Sequence, residues 1–199
     1  MNLGESAIRN ITNPKVADMV RQELKSDEKL LWCAQPTSKR YFRKGLPFFF
    51  FGIFFAGFAI FWTVMAASIT GASSNETNII SYIFPLFGIP FIVVGVGMLT
   101  APLWMAYKVA KETAYLITDQ RAILIEGGLF SGEVRYYPPQ KLKDFFVRRE
   151  PNNVGDIILE TKISTSKKGG QTTTEYGFLG IENLTEVSTL LQKLSEKSD

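Results

Sequence analysis

Between Gly45 and Tyr107 the chain runs 63 residues with one charged side chain, Glu76. The polar loop 70–78 divides this stretch into two apolar segments, 46–69 and 79–107. A hydrocarbon core of about 30 Å needs about 20 helical residues, and both segments exceed that. The pattern predicts a transmembrane hairpin over 45–107, with helices at about 46–69 and 79–107 and an external loop at 70–78. Eight phenylalanines fall between positions 48 and 61, a surface suited first to lipid and second to a packing partner. The pairs Gly52/Ala56 and Gly97/Ala101 permit close helix approach. Pro85, Pro90 and Pro102 predict kinks. With no ionisable group inside either segment, the kinks read as packing features and not as a transport pathway.

After the hairpin the period shortens. Strands are predicted at 113–118, 121–126, 133–137, 144–148, 156–162 and 172–178. Asp119-Gln120 forms the first tight turn, Gly127-Gly128 a break and 167–171 a loop. Thr118 and Asp119 can bond the turn backbone, and Arg121 can reach a neighbouring acid or carbonyl. From about Glu182 an amphipathic helix carries Leu184, Val187, Leu190, Leu191 and Leu194 on one stripe. This domain, 108–199, reads as α+β: a bent antiparallel sheet or small barrel plugged by its terminal helix.

The arm 1–44 opens its own helix at Asn13-Pro14, with Asn as N-cap and Pro in the first turn. Its stripe of Val16, Met19, Val20 and Leu24 lies opposite Lys15, Arg21 and Lys25. A helix this short favours packing on the domain or docking to a partner over lying on lipid. Segment 29–35 reads as β-like and able to add a strand to the domain.

Charge changes the picture by its placement. The arm holds nine Lys/Arg against five Asp/Glu, whereas 108–199 holds thirteen of each. The domain has no net positive surplus for displacing counterions from phosphates, so no nucleic acid is expected. Lys39, Arg40, Arg43 and Lys44 precede the first helix, Lys108 and Lys111 follow the second, and the loop has no basic residue. These six anchor residues place both termini in the cytoplasm and give a multi-pass topology. They add an attraction to anionic headgroups of roughly 1 kcal/mol per cation. Asn75-Glu76-Thr77 matches a glycosylation acceptor but sits almost at the membrane surface, and the opening residues lack a signal-peptide pattern.

Histidine is absent, and Cys33 is the only cysteine. That removes the commonest general base, any internal disulfide and a cysteine zinc site. Flanked by Leu31, Trp32 and Ala34, Cys33 reads as a small buried hydrophobe. No nucleophile elbow or phosphate loop occurs. No enzyme activity, metal or cofactor is expected.

Three sets of residues carry a resemblance. The run from Tyr115 to Ile123 (YLITDQRAI) and Glu126-Gly127-Gly128-Leu129-Phe130 resemble the opening hairpin of bacterial pleckstrin-homology (PH) domains. Phe178 to Asn183 (FLGIEN) resembles that family's closing segment, and Glu28-Lys29-Leu30-Leu31-Trp32 with Gln35-Pro36 resembles the arm of its membrane-anchored members. The resemblance implies a PH-like fold of seven strands with a capping C-terminal helix, in the bacterial cytoplasmic (inner) membrane. It does not carry phosphoinositide binding, because the loop Asp119-Gln120 is short and acidic. The function it implies is a non-catalytic scaffold or adaptor binding protein or anionic lipid through exposed cations. The candidates are Arg135, Lys141, Lys143, Arg148, Arg149, Lys167 and Lys168, which also fit a plain solvated surface. The alternative is an accessory subunit of a larger membrane complex, bound, like a homo-oligomer, through the apolar helices.

Overall fold

The structure, a computed structural model, describes residues 8, 11–72, 83, 86–128, 132–165 and 170–198. Most of the predicted external loop with Glu76, the 75–77 acceptor, Pro85, the motif residues Leu129 and Phe130, and Lys167 and Lys168 lie outside the described residues. The chain divides into two compact units, one of Met1–Tyr41 with Tyr107–Asp199 and one of Phe42–Ala106.

The described residues of Phe42–Ala106 are almost all helical. It contains most of α2 (Ser38–Ala72) and of α3 (Gly88–Glu112), both long and apolar enough to cross a membrane. Helix α2 starts at Ser38, eight residues ahead of the apolar boundary, and so takes Lys39, Arg40, Arg43 and Lys44 into its first two turns. Pro47 and Pro102 lie inside the helices. The hydroxyls of Thr63, Ser68 and Thr100 donate to carbonyls of their own helix at 2.7–3.0 Å, leaving none of the three unsatisfied in an apolar setting.

The helices approach where small residues meet. A side chain at Gly95 would stand 2.8 Å from the Ala56 backbone, so only glycine fits. Gly52 and Ala56 take part in this contact, but Gly97 faces open space. The sequence pattern pointed to Gly97/Ala101; two residues is about 200° around a helix, so Gly95 faces the partner and Gly97 cannot. Phe50, Phe51, Phe54, Phe58 and Phe61 are each more than half exposed.

The second unit begins with α1 (Pro14–Glu23), whose N-cap Asn13 accepts from the Lys15 amide at 3.1 Å. Then come β1 (Leu30–Ala34), β2 (Ala114–Thr118), β3 (Ala122–Glu126) and β4 (Glu133–Tyr137), forming one antiparallel sheet in that order. A second antiparallel sheet holds β5 (Phe146–Glu150), β6 (Val154–Thr165) and β7 (Gln171–Ile181). Helix α4 (Leu184–Ser195) closes the unit. The architecture is α+β, with two sheets, a C-terminal helix and two candidate spans.

The predicted arm strand is real: β1 pairs antiparallel with β2, setting Cys33 opposite Leu116 and Ala34 opposite Tyr115. The sheet it joins is covered on both faces. One face carries Tyr115, Ile117, Ala122 and Leu124 into a core shared with Ile157, Phe178 and the α4 residues Leu184, Val187, Leu191 and Leu194. The opposite face carries Ala114, Leu116, Ile123 and Ile125 against Val16, Ala17 and Val20 of α1. The stripe of α1 therefore packs on the domain, with Ala17 facing inward where the pattern pointed to Met19. This double burial explains why β2 and β3 read as apolar runs, since both faces of each strand are inside. Strand β5 starts at Phe146 because Asp144 lies in a turn and Phe145 packs against the core.

Candidate functional site

The turn between β2 and β3 is built as a clamp on the arm. Thr118 donates its hydroxyl to Glu28 at 2.7 Å and accepts the amides of Gln120 and Arg121. Arg121 grips the Glu28 carboxylate with two donors, Nε at 3.0 Å and Nη2 at 3.1 Å, and Nη2 also donates to the Glu23 carbonyl. Asp119 accepts the Lys29 amide at 2.8 Å while its own amide donates to the Lys29 carbonyl. Above Arg121 lies the Tyr136 ring, 4.7 Å away, and the Tyr136 hydroxyl donates to Glu23 at 2.6 Å. Arg121 thus reaches both an acid and a carbonyl, as the turn chemistry predicts.

The Glu28 side chain is wholly buried. Burial alone would raise its pKa, but the hydrogen bonds from Arg121, Thr118 and the Lys25 amide outweigh it and hold the carboxyl below its ordinary value. At neutral pH the group is an anion with every lone pair engaged, not a poised acid or base. Gln35, the other arm residue of the motif, donates to the Lys111 carbonyl at 2.9 Å and accepts the Thr12 amide at 2.9 Å.

A second buried acid, Asp156, stands where β6 meets β7. It accepts the Gly180 amide at 2.9 Å and pairs through both oxygens with Arg40 from the first turn of α2. Thr37 adds its amide and hydroxyl to the Gly180 carbonyl at 3.3 and 3.2 Å. Gly180 has φ +63°, and a Cβ there would stand 3.0 Å from the Arg40 side chain. The pattern placed Arg40 among the membrane anchors; its side chain is only 19% exposed and is neutralised by Asp156. The charged Asp156 in the apolar run of β6 was the available sign of this pair, but its partner lies 116 residues earlier in the chain.

The candidate cations separate by environment. Arg135 is enclosed by Glu126, Glu133 and Glu160 and lies 3.7 Å above the Tyr176 ring. Arg148 holds Glu175 with two hydrogen bonds of 3.0 and 2.9 Å. Lys141, Lys143 and Arg149 are exposed. The two arginines therefore serve charge-paired contacts, and the described candidates that are exposed are Lys141, Lys143, Arg148 and Arg149. Of the other anchors, Lys111 lies 4.3 Å over the Tyr107 ring.

Among the described residues no group of three or more His, Cys, Asp or Glu converges as a metal site. Burial pushes the Cys33 thiol up to about 12, leaving it protonated and inert at neutral pH. Within the helical unit, an apolar groove of about 690 Å³ is lined by Phe55, Phe58, Trp62, Phe87 and Phe91. Comparison of the chain with protein-family models, with curated proteins and with solved structures returned no match.

Proposed function

We propose that the chain is a non-catalytic, membrane-anchored scaffold whose PH-like unit presents a protein-binding surface at the cytoplasmic face of a bacterial membrane. The observation that carries this reading is the clamp. The motif segments ahead of and behind the apolar helices meet in one buried contact, Glu28 with Thr118 and Arg121. Both flanks of the helical pair thus belong to one folded unit, so helices that cross a bilayer must leave it on the side they entered. The positive-inside bias makes that side the cytoplasm. Two sheets closed by a C-terminal helix are consistent with the PH-like reading. Both buried acids are committed to arginines, which supports a binding role over catalysis. Lys141, Lys143 and Arg149 are exposed cations on the surface proposed for a partner.

In spheroplasts expressing the full chain, Lys15→Cys and Lys193→Cys should react with a membrane-impermeant maleimide only after permeabilisation. Labelling of either in intact cells overturns the topology. The binding surface is tested by purifying the full chain in mild detergent beside a Lys141→Gln/Lys143→Gln/Arg149→Gln variant. A partner released by the variant supports the scaffold; a partner held equally by both overturns it.

The aromatic groove favours a second reading, an accessory subunit held through its helices. Under that reading Phe58→Ser/Trp62→Ser releases the partner and the cation variant does not.

A further inference from the structure

The far end of the β6–β7 hairpin has no core. Strand β5 pairs with Val154 to Ile158 and stops there, yet β6 and β7 continue, with Glu160 opposite Tyr176 and Thr165 opposite Gln171. Every residue from Thr161 to Thr165 and from Gln171 to Thr174 is exposed. This is a two-stranded ribbon with solvent on both faces, an arrangement of marginal stability by itself. Its sequence is nevertheless rich in strand formers: six of the ten residues in 161–165 and 171–175 are β-branched, and Ile163 is 67% exposed.

Strand β7 is the edge of its sheet. Natural edges are usually blunted by lysine, proline or a bulge. The segment Gln171-Thr172-Thr173-Thr174-Glu175 contains neither lysine nor proline, and the register irregularities of the hairpin fall earlier, between Gly155 and Glu160. The β6 side of the ribbon, by contrast, carries Lys162.

We propose that two copies of the chain pair antiparallel through this β7 edge, about a two-fold axis at Thr173. The occupant follows from self-complementarity. A two-fold at Thr173 sets Thr172 opposite the second copy's Thr174 and Gln171 opposite its Glu175, so threonines meet threonines, an amide meets a carboxylate and no like charges face each other. The pairing adds strands to a ribbon that no other element covers among the described residues, and one isologous contact closes the assembly. It stands independently of the membrane reading. Anchoring in a shared bilayer would only raise the effective concentration of the second copy.

The test uses the full chain in mild detergent, with Cys33→Ala removing the native thiol. Thr173→Cys places two thiols across the axis at a Cα separation of about 4.5–5.5 Å, within disulfide reach. Thr172→Cys and Thr174→Cys each place like positions at a diagonal of about 7–8 Å, out of reach. Oxidation should therefore give a dimer whose yield peaks at Thr173→Cys and falls several-fold on either side. Light scattering should find the wild type and Thr173→Ser dimeric. Thr173→Lys, which opposes two ammonium groups at the axis, should be monomeric with unchanged amide protection in β2 and β3. A monomeric wild type, a dimer that survives Thr173→Lys, a flat crosslinking profile, or a different protein bound along β7 in place of the second copy would each overturn the proposal.

Discussion

Replacing Arg121 by glutamine should release the arm from the domain. The Glu28 side chain has no exposed surface and Arg121 retains 18%, so the pair is held largely out of water. Removing one member of a buried ion pair leaves the other charged and uncompensated, at a cost of about 3–5 kcal/mol. Glu28 keeps the Thr118 hydroxyl and the Lys25 amide, and the space left by the guanidinium opens to solvent through its exposed edge. These effects place the cost near the lower figure, about 3 kcal/mol. The loss falls on the arm, because Arg121 also holds the Glu23 carbonyl at the end of α1 and stacks on Tyr136.

Hydrogen exchange of the full chain in detergent, followed by mass spectrometry, reads the effect locally. At about 1.4 kcal/mol per decade, amides of β1 should exchange about a hundredfold faster in Arg121→Gln. Glu28→Gln should cost less, since Arg121 can turn toward water. The Glu28→Gln/Arg121→Gln pair should cost less than the sum of its singles by about 1–3 kcal/mol, the coupling of residues in contact. Unchanged β1 protection in Arg121→Gln, or strictly additive losses, would refute the clamp and leave the arm held by its apolar face alone.

Three further outcomes follow from the same contacts. Because Glu28 is held below the ordinary glutamate value of 4.5, its contribution is present above that pH and is lost as pH falls through the lowered folded value. With Trp62→Phe and Trp104→Phe leaving Trp32 on β1 as sole reporter, stacked 5.8 Å from Phe178, acid release of the arm should appear below about pH 4.5 and be blunted in Arg121→Gln. Gly180→Ala forces a side chain into the left-handed region beside Arg40 and should cost about 1–2 kcal/mol, read as faster exchange near the β6–β7 junction; unchanged exchange there would contradict the geometry. Segment 112–199 expressed alone should fail to give a dispersed amide spectrum, whereas the arm joined to 107–199 by a glycine-serine linker should give one. The bare segment uncovers Leu116, Ile123 and Ile125, at about 1.5–3 kcal/mol each, against a total stability of about 5–15 kcal/mol for a small domain.

Local signals made much of this fold legible. Charge silence marked the two apolar helices, and the Asn13-Pro14 cap marked α1. Short β-branched runs marked the strands, and the leucine stripe marked α4. Helix phase was less legible, because Gly95 and Gly97 are chemically alike and only the path of the partner helix decides which faces it. The charged contacts were hardest to see. Arg40 reads as a topological cation by its place before the apolar run, and nothing within many residues of it announces Asp156. Arg135 and Arg148 likewise read as solvated charges, whereas Tyr176 and Glu175, neighbours on β7, hold them in place.

One signal in the sequence carried more than its period suggested. Strands with one dry face alternate, and β2 and β3 do not: AYLIT and AILIE are apolar almost throughout. Such strands need cover on both sides. The β-rich segment after the helices supplies one layer, through the second sheet and α4, and has no second helix to spare. In the structure the other layer comes from the arm, whose Val16, Ala17 and Val20 cover that face. The runs of β2 and β3 therefore signal a second covering layer, and the arm that supplies it belongs to the same compact unit although the apolar helices lie between them in the chain.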